Sequence, residues 1–145
     1  MLNQDFKEFI ASLNDNNVRY LVVGGYAVAL HGHPRYTKDL DVWVDCSQAN
    51  AVAILRALAQ FGMGSLGLTE NDFLVPDQVV QLGYPPNRID ILLSISGVIF
   101  DKCYAKRVVV EIDQVKVNFI DLENLKLNKK AAGRHQDLAD LENLQ

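Results

Sequence analysis

Phe6, Phe9, Ile10 and Leu13 recur at helical spacing among polar residues, and Asn14-Asp15-Asn16-Asn17 follows them. The chain therefore opens with a predicted amphipathic helix over residues 4–14. The next apolar run, Val18 to Val23, is rich in β-branched and aromatic side chains and ends at Gly24-Gly25, the pattern of a buried strand turning sharply into a helix. Tyr26 to His31 predicts that helix, stopped by Gly32-His33-Pro34. Arg35 to Lys38 is a polar connection, and Asp39 to Val44 predicts a second strand. Residues 49–61 predict a longer helix, broken by the glycines at 62, 64 and 67, and residues 68–76 predict a loop.

Further on, residues 79–83 and 88–93 flank Tyr84-Pro85-Pro86-Asn87, and residues 107–112 and 115–120 flank Asp113-Gln114. Each pair predicts an antiparallel hairpin, with a short helix over 98–105 between them. From about residue 121 the pattern is helical, with a break near Gly133. Leu138, Leu141 and Leu144 predict the face by which the last helix docks. Trp43 and Phe119 read as packing residues. Helices interleaved with hairpins imply an α+β (mixed α/β) class, in which a mixed central sheet is flanked by helices within one domain spanning 1–145.

Composition narrows the function classes. The chain has 145 residues, 49% of them hydrophobic, enough for one sizeable core. A net charge of −4 argues against a surface devoted wholly to nucleic acid. A local basic patch remains in Lys126, Lys129, Lys130 and Arg134, whose simplest reading is a solvated helical face. The two cysteines, Cys46 and Cys103, suit neither a disulfide framework nor a zinc site and read as small buried hydrophobes. The N-terminal residues lack a signal pattern, and no run approaches the roughly 20 apolar residues of a membrane span, so a cytoplasmic protein without membrane partners is expected.

The candidate chemistry lies in acids placed on apolar strands. Asp39 and Asp41, two apart on a strand, project from one face about 7 Å apart, with Leu40 and Val42 turned to the core. Carboxylates so close repel unless a cation joins them, and hard oxygen ligands suit Mg²⁺. The alternative is a pair of solvated acids on an edge strand. Asp90 sits in the apolar run Arg88-Ile89-Asp90-Ile91-Leu92-Leu93, where an unpartnered charge is costly. If that strand lies beside the Asp39 strand, Asp90 completes a three-carboxylate cluster able to hold two metal ions. Otherwise it forms a salt bridge to Arg88 or Lys102. Gly24-Gly25 lets backbone approach a phosphate at a helix N-terminus, or is simply a tight turn. Arg35 and Thr37, with Lys38, precede the acids where they can reach triphosphate oxygens. His31 and His33 lack a third ligand for a metal, and His31 reads as a helix-end residue near the pocket.

Gly24-Gly25, Asp39-x-Asp41 and Asp90 resemble the three-part signature of the nucleotidyltransferase superfamily with the polymerase-β-type fold. More narrowly, Gly24-Gly25-x-Ala27, His31-Gly32, Arg35-x-Thr37-x-Asp39-Leu40-Asp41 and Lys130-x-Ala132-Gly133-Arg134-x-x-Asp137 are similar to small bacterial nucleotidyltransferases related to the AbiEii toxins. The resemblance implies a nucleotidyltransferase fold, one or two Mg²⁺ ions on Asp39, Asp41 and Asp90, and transfer of a nucleoside monophosphate from a triphosphate such as ATP. It adds Lys130, Arg134 and Asp137 to the nucleotide pocket. Acceptors in keeping with it are an RNA 3′ end, a protein hydroxyl or an aminoglycoside-like small molecule. DNA is not expected, and a toxin or antitoxin partner protein is. The competing reading is a non-catalytic nucleotide-binding or antitoxin-like protein that keeps the fold.

Overall fold

The computed structural model describes residues 2–32 and 37–144. Helix α1 (Gln4–Asp15) begins where the Asn3 side chain accepts a hydrogen bond from the Phe6 amide, and it buries the four apolar residues that predicted it. Strand β1 (Tyr20–Val23) follows and is buried along its whole length. Helix α2 (Gly24–His31) starts directly on the glycine pair, so both glycines belong to its first turn. Strand β2 (Leu40–Val44), helix α3 (Gln48–Gln60), the hairpin of β3 (Val79–Leu82) and β4 (Ile89–Leu92), and the short helix α4 (Phe100–Ala105) come next. The chain finishes with the hairpin of β5 (Val108–Ile112) and β6 (Val115–Phe119), then helices α5 (Leu122–Ala132) and α6 (His135–Asn143).

The strands form one six-stranded sheet in the order β3-β4-β2-β1-β6-β5. It is mixed, as expected: β2–β4 and β1–β6 are parallel, whereas β1–β2 and both hairpins are antiparallel. Asp113 and Gln114, both at positive φ, make the tight second hairpin turn despite the lack of glycine. Gly133, at φ 67°, ends α5 in the left-handed conformation and sets the corner from which α6 departs. Trp43 and Phe119 are core residues. Cys103 is buried and Cys46 partly so, and both are free thiols.

Two expectations need correction. Residues 62–76 include two short 3₁₀ turns, and the second buries Phe73 completely, so this stretch contributes to the core. The leucine stripe of the last helix docks only in part: Leu144, just past its end, is buried in the core and Leu141 is half-buried. Leu138 is 44% exposed, and the residues that α6 itself buries are Asp137 and Asp140. Among the described residues, no helix is long and apolar enough to cross a membrane.

Candidate active site

The middle of the sheet brings the acids together. In the register of β2 with its neighbours, Asp41 lies across from Asp90 on β4 and across from Val23 on β1. Adjacent strands are about 4.8 Å apart, so Asp41 and Asp90 stand one strand spacing from each other. Leu40 and Val42 flank Asp41 and are fully buried. Asp39 sits one residue before the strand, where its Oδ1 accepts a hydrogen bond from the Arg88 amide at 3.1 Å.

Arg88 joins two of these carboxylates. Its Nε donates to Asp90 Oδ1 at 2.7 Å and its Nη2 to Asp90 Oδ2 at 3.1 Å, while Nη2 lies 3.5 Å from Asp39 Oδ2. Such a two-pronged contact is among the stronger charge-assisted pairings, and it holds the Arg88 guanidinium above its ordinary pKa. Asp41 has no hydrogen-bond or ion-pair partner among the described residues. Burial first, then the negative charges of Asp90 and Asp39, push its carboxyl from an ordinary 3.8 up to about 6, against the opposing pull of Lys129 and Arg88.

Gly24 is explained by Asp41. Its φ of +65° already disfavours a side chain, and a Cβ placed there would stand 2.2 Å from Asp41 Oδ2. The β1–α2 turn and the Asp41 carboxylate thus occupy adjoining space. Gly24→Ala is expected to cost at least about 2 kcal/mol in chemical denaturation, from left-handed strain together with displacement of the carboxylate. A variant as stable as the wild type would mean that the turn has room to relax.

These groups line an open cleft of about 570 Å³. Gly25, Thr37, Lys38, Asp39 and Asp41 form one part of its wall, Arg88, Asp90 and Leu92 another, and Arg134 and Gln136 reach it from the α5–α6 corner. A larger concavity, about 680 Å³, lies between α1 and the β5–β6 hairpin. Its charged residues Asp15, Arg107, Glu111 and Lys116 are all exposed, so it lacks the desolvated acids that distinguish the smaller cleft.

Behind the cleft is a buried ion network. Lys129 Nζ stands 3.2 Å from both Asp137 Oδ1 and Asp140 Oδ2, and all three side chains are nearly inaccessible. Arg134 Nε donates to Asp137 Oδ2 at 2.7 Å from the solvent side. Burial disfavours the ionised Asp137, but the hydrogen bonds from Arg134 and Lys129 outweigh it and hold its carboxyl below the usual carboxylate range. Lys129 is drawn inward, which corrects the reading of that run as a solvated basic face at this one position, whereas Arg134 is exposed. Lys130 is exposed and does not line the cleft.

Among the other expected site residues, Thr37 lines the cleft, Asp137 lies in the network behind it, and Arg35 lies outside the described residues, as does His33. His31, at the end of α2, makes a 2.7 Å hydrogen bond between its Nε2 and the Ile120 carbonyl. Sequence reasoning gave Arg88 no role beyond pairing with Asp90, and it overlooked Gln136 and the burial of Lys129. A signal for Lys129 existed, because it continues the spacing Leu122, Leu125, Lys129 along one helical face.

The donor set suits a hard divalent cation, since three carboxylates open on one cleft whose glycine turn leaves space for one of them. Among the described residues, however, no three His, Cys, Asp or Glu side chains are drawn together as a ready ligand cluster. Two of the three acids are held by Arg88 instead.

A family model described as "Nucleotidyltransferase of unknown function" (DUF6036) matches residues 1–145. Among solved structures, the fold is similar to the crystal structure of an antigenic nucleotidyltransferase-like protein from Paracoccidioides brasiliensis. The TM-score is 0.51 at 18% identity, over 99% of this chain and 75% of that one. No curated protein matches the chain.

Proposed function

We propose, from the premise that the chain belongs to the DUF6036 family of nucleotidyltransferases, that it moves a nucleoside monophosphate from a triphosphate to an acceptor hydroxyl with the help of Mg²⁺. The observation that carries this reading is the convergence of Asp39, Asp41 and Asp90 on one cleft that also contains Arg88, Lys38 and Arg134. Anionic groups there can hold a cation, and cationic groups there can hold phosphates.

In this mechanism Asp39, Asp41 and Asp90 would hold the divalent cation. The cation, when bound, supplies positive charge to the attacking hydroxyl and the leaving pyrophosphate. Asp90 would also help to activate the acceptor hydroxyl. Gly25 backbone, Thr37, Arg35 and Arg134 orient the triphosphate for in-line attack, with the pyrophosphate leaving as the acceptor oxygen bonds to the α-phosphorus. Catalysis of this kind is mostly positioning and charge neutralisation, so a misplaced group is costly. The acceptor in this reading is an RNA 3′ end or a protein hydroxyl, and the setting is a toxin–antitoxin module such as the AbiEii-related proteins form.

One observation favours a second reading. Arg88 already neutralises Asp39 and Asp90, as it would in a nucleotide-binding or antitoxin-like protein that keeps the fold without turnover. The two readings separate when the protein is incubated with each labelled nucleoside triphosphate, Mg²⁺ and cell extract, with Asp41→Asn as control. The first expects label in RNA or protein that disappears with the variant. Triphosphate binding indifferent to Mg²⁺ in calorimetry, with no label transferred from any triphosphate, would establish the second.

A further inference from the structure

Three carboxylates in a row across β2 and β4 need a positive charge near them whether or not the cleft is loaded. For Asp39 and Asp90 that charge is Arg88. It approaches by three routes: its amide holds Asp39 Oδ1 at 3.1 Å, its Nε holds Asp90 Oδ1 at 2.7 Å, and its Nη2 lies between Asp90 Oδ2 at 3.1 Å and Asp39 Oδ2 at 3.5 Å. Every carboxylate oxygen of Asp39 and Asp90 therefore faces Arg88. These are also the oxygens that a cation would need.

We propose that Arg88 is the built-in counter-ion of the cleft, competing with the divalent cation for the oxygens of Asp39 and Asp90. The proposal rests on the metal-dependent reading above and adds a regulation to it. The cleft keeps its acids in place when unloaded, at the expense of weak affinity for a free cation. Metal arriving with a triphosphate has the advantage, because the phosphates offer the displaced guanidinium new acceptors. A merely structural arginine predicts the opposite sign: without it the acids would splay and cation binding would weaken.

Arg88 is partly exposed, with 26% of its side chain accessible, so its removal need not disrupt the core. The test is Mn²⁺ binding to the nucleotide-free full chain at pH 8, followed by calorimetry and by the paramagnetic resonance of free Mn²⁺. Arg88→Gln is expected to bind Mn²⁺ about tenfold more tightly than the wild type, because loss of one strong competing contact is worth about one decade in affinity. Arg88→Lys keeps the charge without the fork and is expected to fall between them. It also serves as the measurement if the Gln protein fails to fold. Affinity in the variants equal to or weaker than that of a metal-binding wild type would overturn the role of Arg88 alone. Absence of Mn²⁺ binding in all three proteins at millimolar metal would overturn this proposal together with the metal-dependent reading.

Discussion

Replacement of Asp41 by Asn is expected to abolish nucleotide transfer while making the protein more stable above pH 6. Asp41 is pushed up to about 6 from an ordinary 3.8, chiefly by burial and then by its acidic neighbours. The folded state therefore keeps the Asp41 proton to higher pH than the unfolded chain does. The sign follows from linkage: stability falls as pH rises from about 4 through 6 and levels off above, because folding there forces an ionised carboxylate into a poor environment. A shift of this size corresponds to about 3 kcal/mol at most, at roughly 1.4 kcal/mol per pH unit. Asn fits the same space without a charge, so its denaturation midpoint should not show that fall. Loss of one group that stabilises a phosphoryl-transfer transition state costs at least about 10²–10³-fold in rate. Urea unfolding of both proteins between pH 4 and 8, alongside label transfer, measures both effects. Parallel stability profiles would show that Asp41 is better solvated than its place between β1 and β4 implies, and retained transfer would remove it from the mechanism.

This opposition between stability and use also explains which parts of the site were legible in the sequence. Asp41 and Asp90 could be found because each interrupts an apolar strand, and a charge in such a run demands a reason. Their adjacency followed once β4 paired beside β2, which hairpin and strand signals made reasonable but could not fix. The strand and helix boundaries were readable within one or two residues, as with 4–14 against Gln4–Asp15, because periodicity and caps are local properties. What stayed hidden depends on three-dimensional partners. Gly24 looked like phosphate-binding backbone, but its lack of a side chain is required by Asp41, seventeen positions later. Arg88 looked like one end of an ordinary salt bridge because the sequence cannot show that the same guanidinium also reaches Asp39. The leucines of the last helix told only part of the story for a related reason: Leu144 is buried as hydrophobicity marks it, but Leu138 is exposed, and α6 itself also buries two carboxylates that Lys129, with Arg134 beside Asp137, makes tolerable.

That lysine carries the second large expected effect. Lys129→Ala should destabilise the protein by about 3–5 kcal/mol, since removing one partner from a buried ion network leaves its opposite charges without compensation. Asp137 would keep Arg134 at 2.7 Å, and Asp140 would keep a hydrogen bond from Gln136 at 2.9 Å, but both acids would remain buried. Lys129→Met, which fills the same space without charge, should cost nearly as much. The double variant Lys129→Met, Asp140→Asn should recover a good part of the loss, because it removes a charge of each sign. The loss should reach the cleft as well. Arg134 and Gln136 enter it from the α5–α6 corner that Lys129 pins, and the Lys129 charge restrains the upward shift of Asp41. A loosened corner would weaken triphosphate binding at temperatures where the variant is still folded. Urea denaturation at pH 7.5 and calorimetric triphosphate titration of the surviving folded protein measure the two consequences. A cost below about 1 kcal/mol, the scale of solvated surface pairs, would mean that Lys129 reaches water and that α6 is held by something other than its acids.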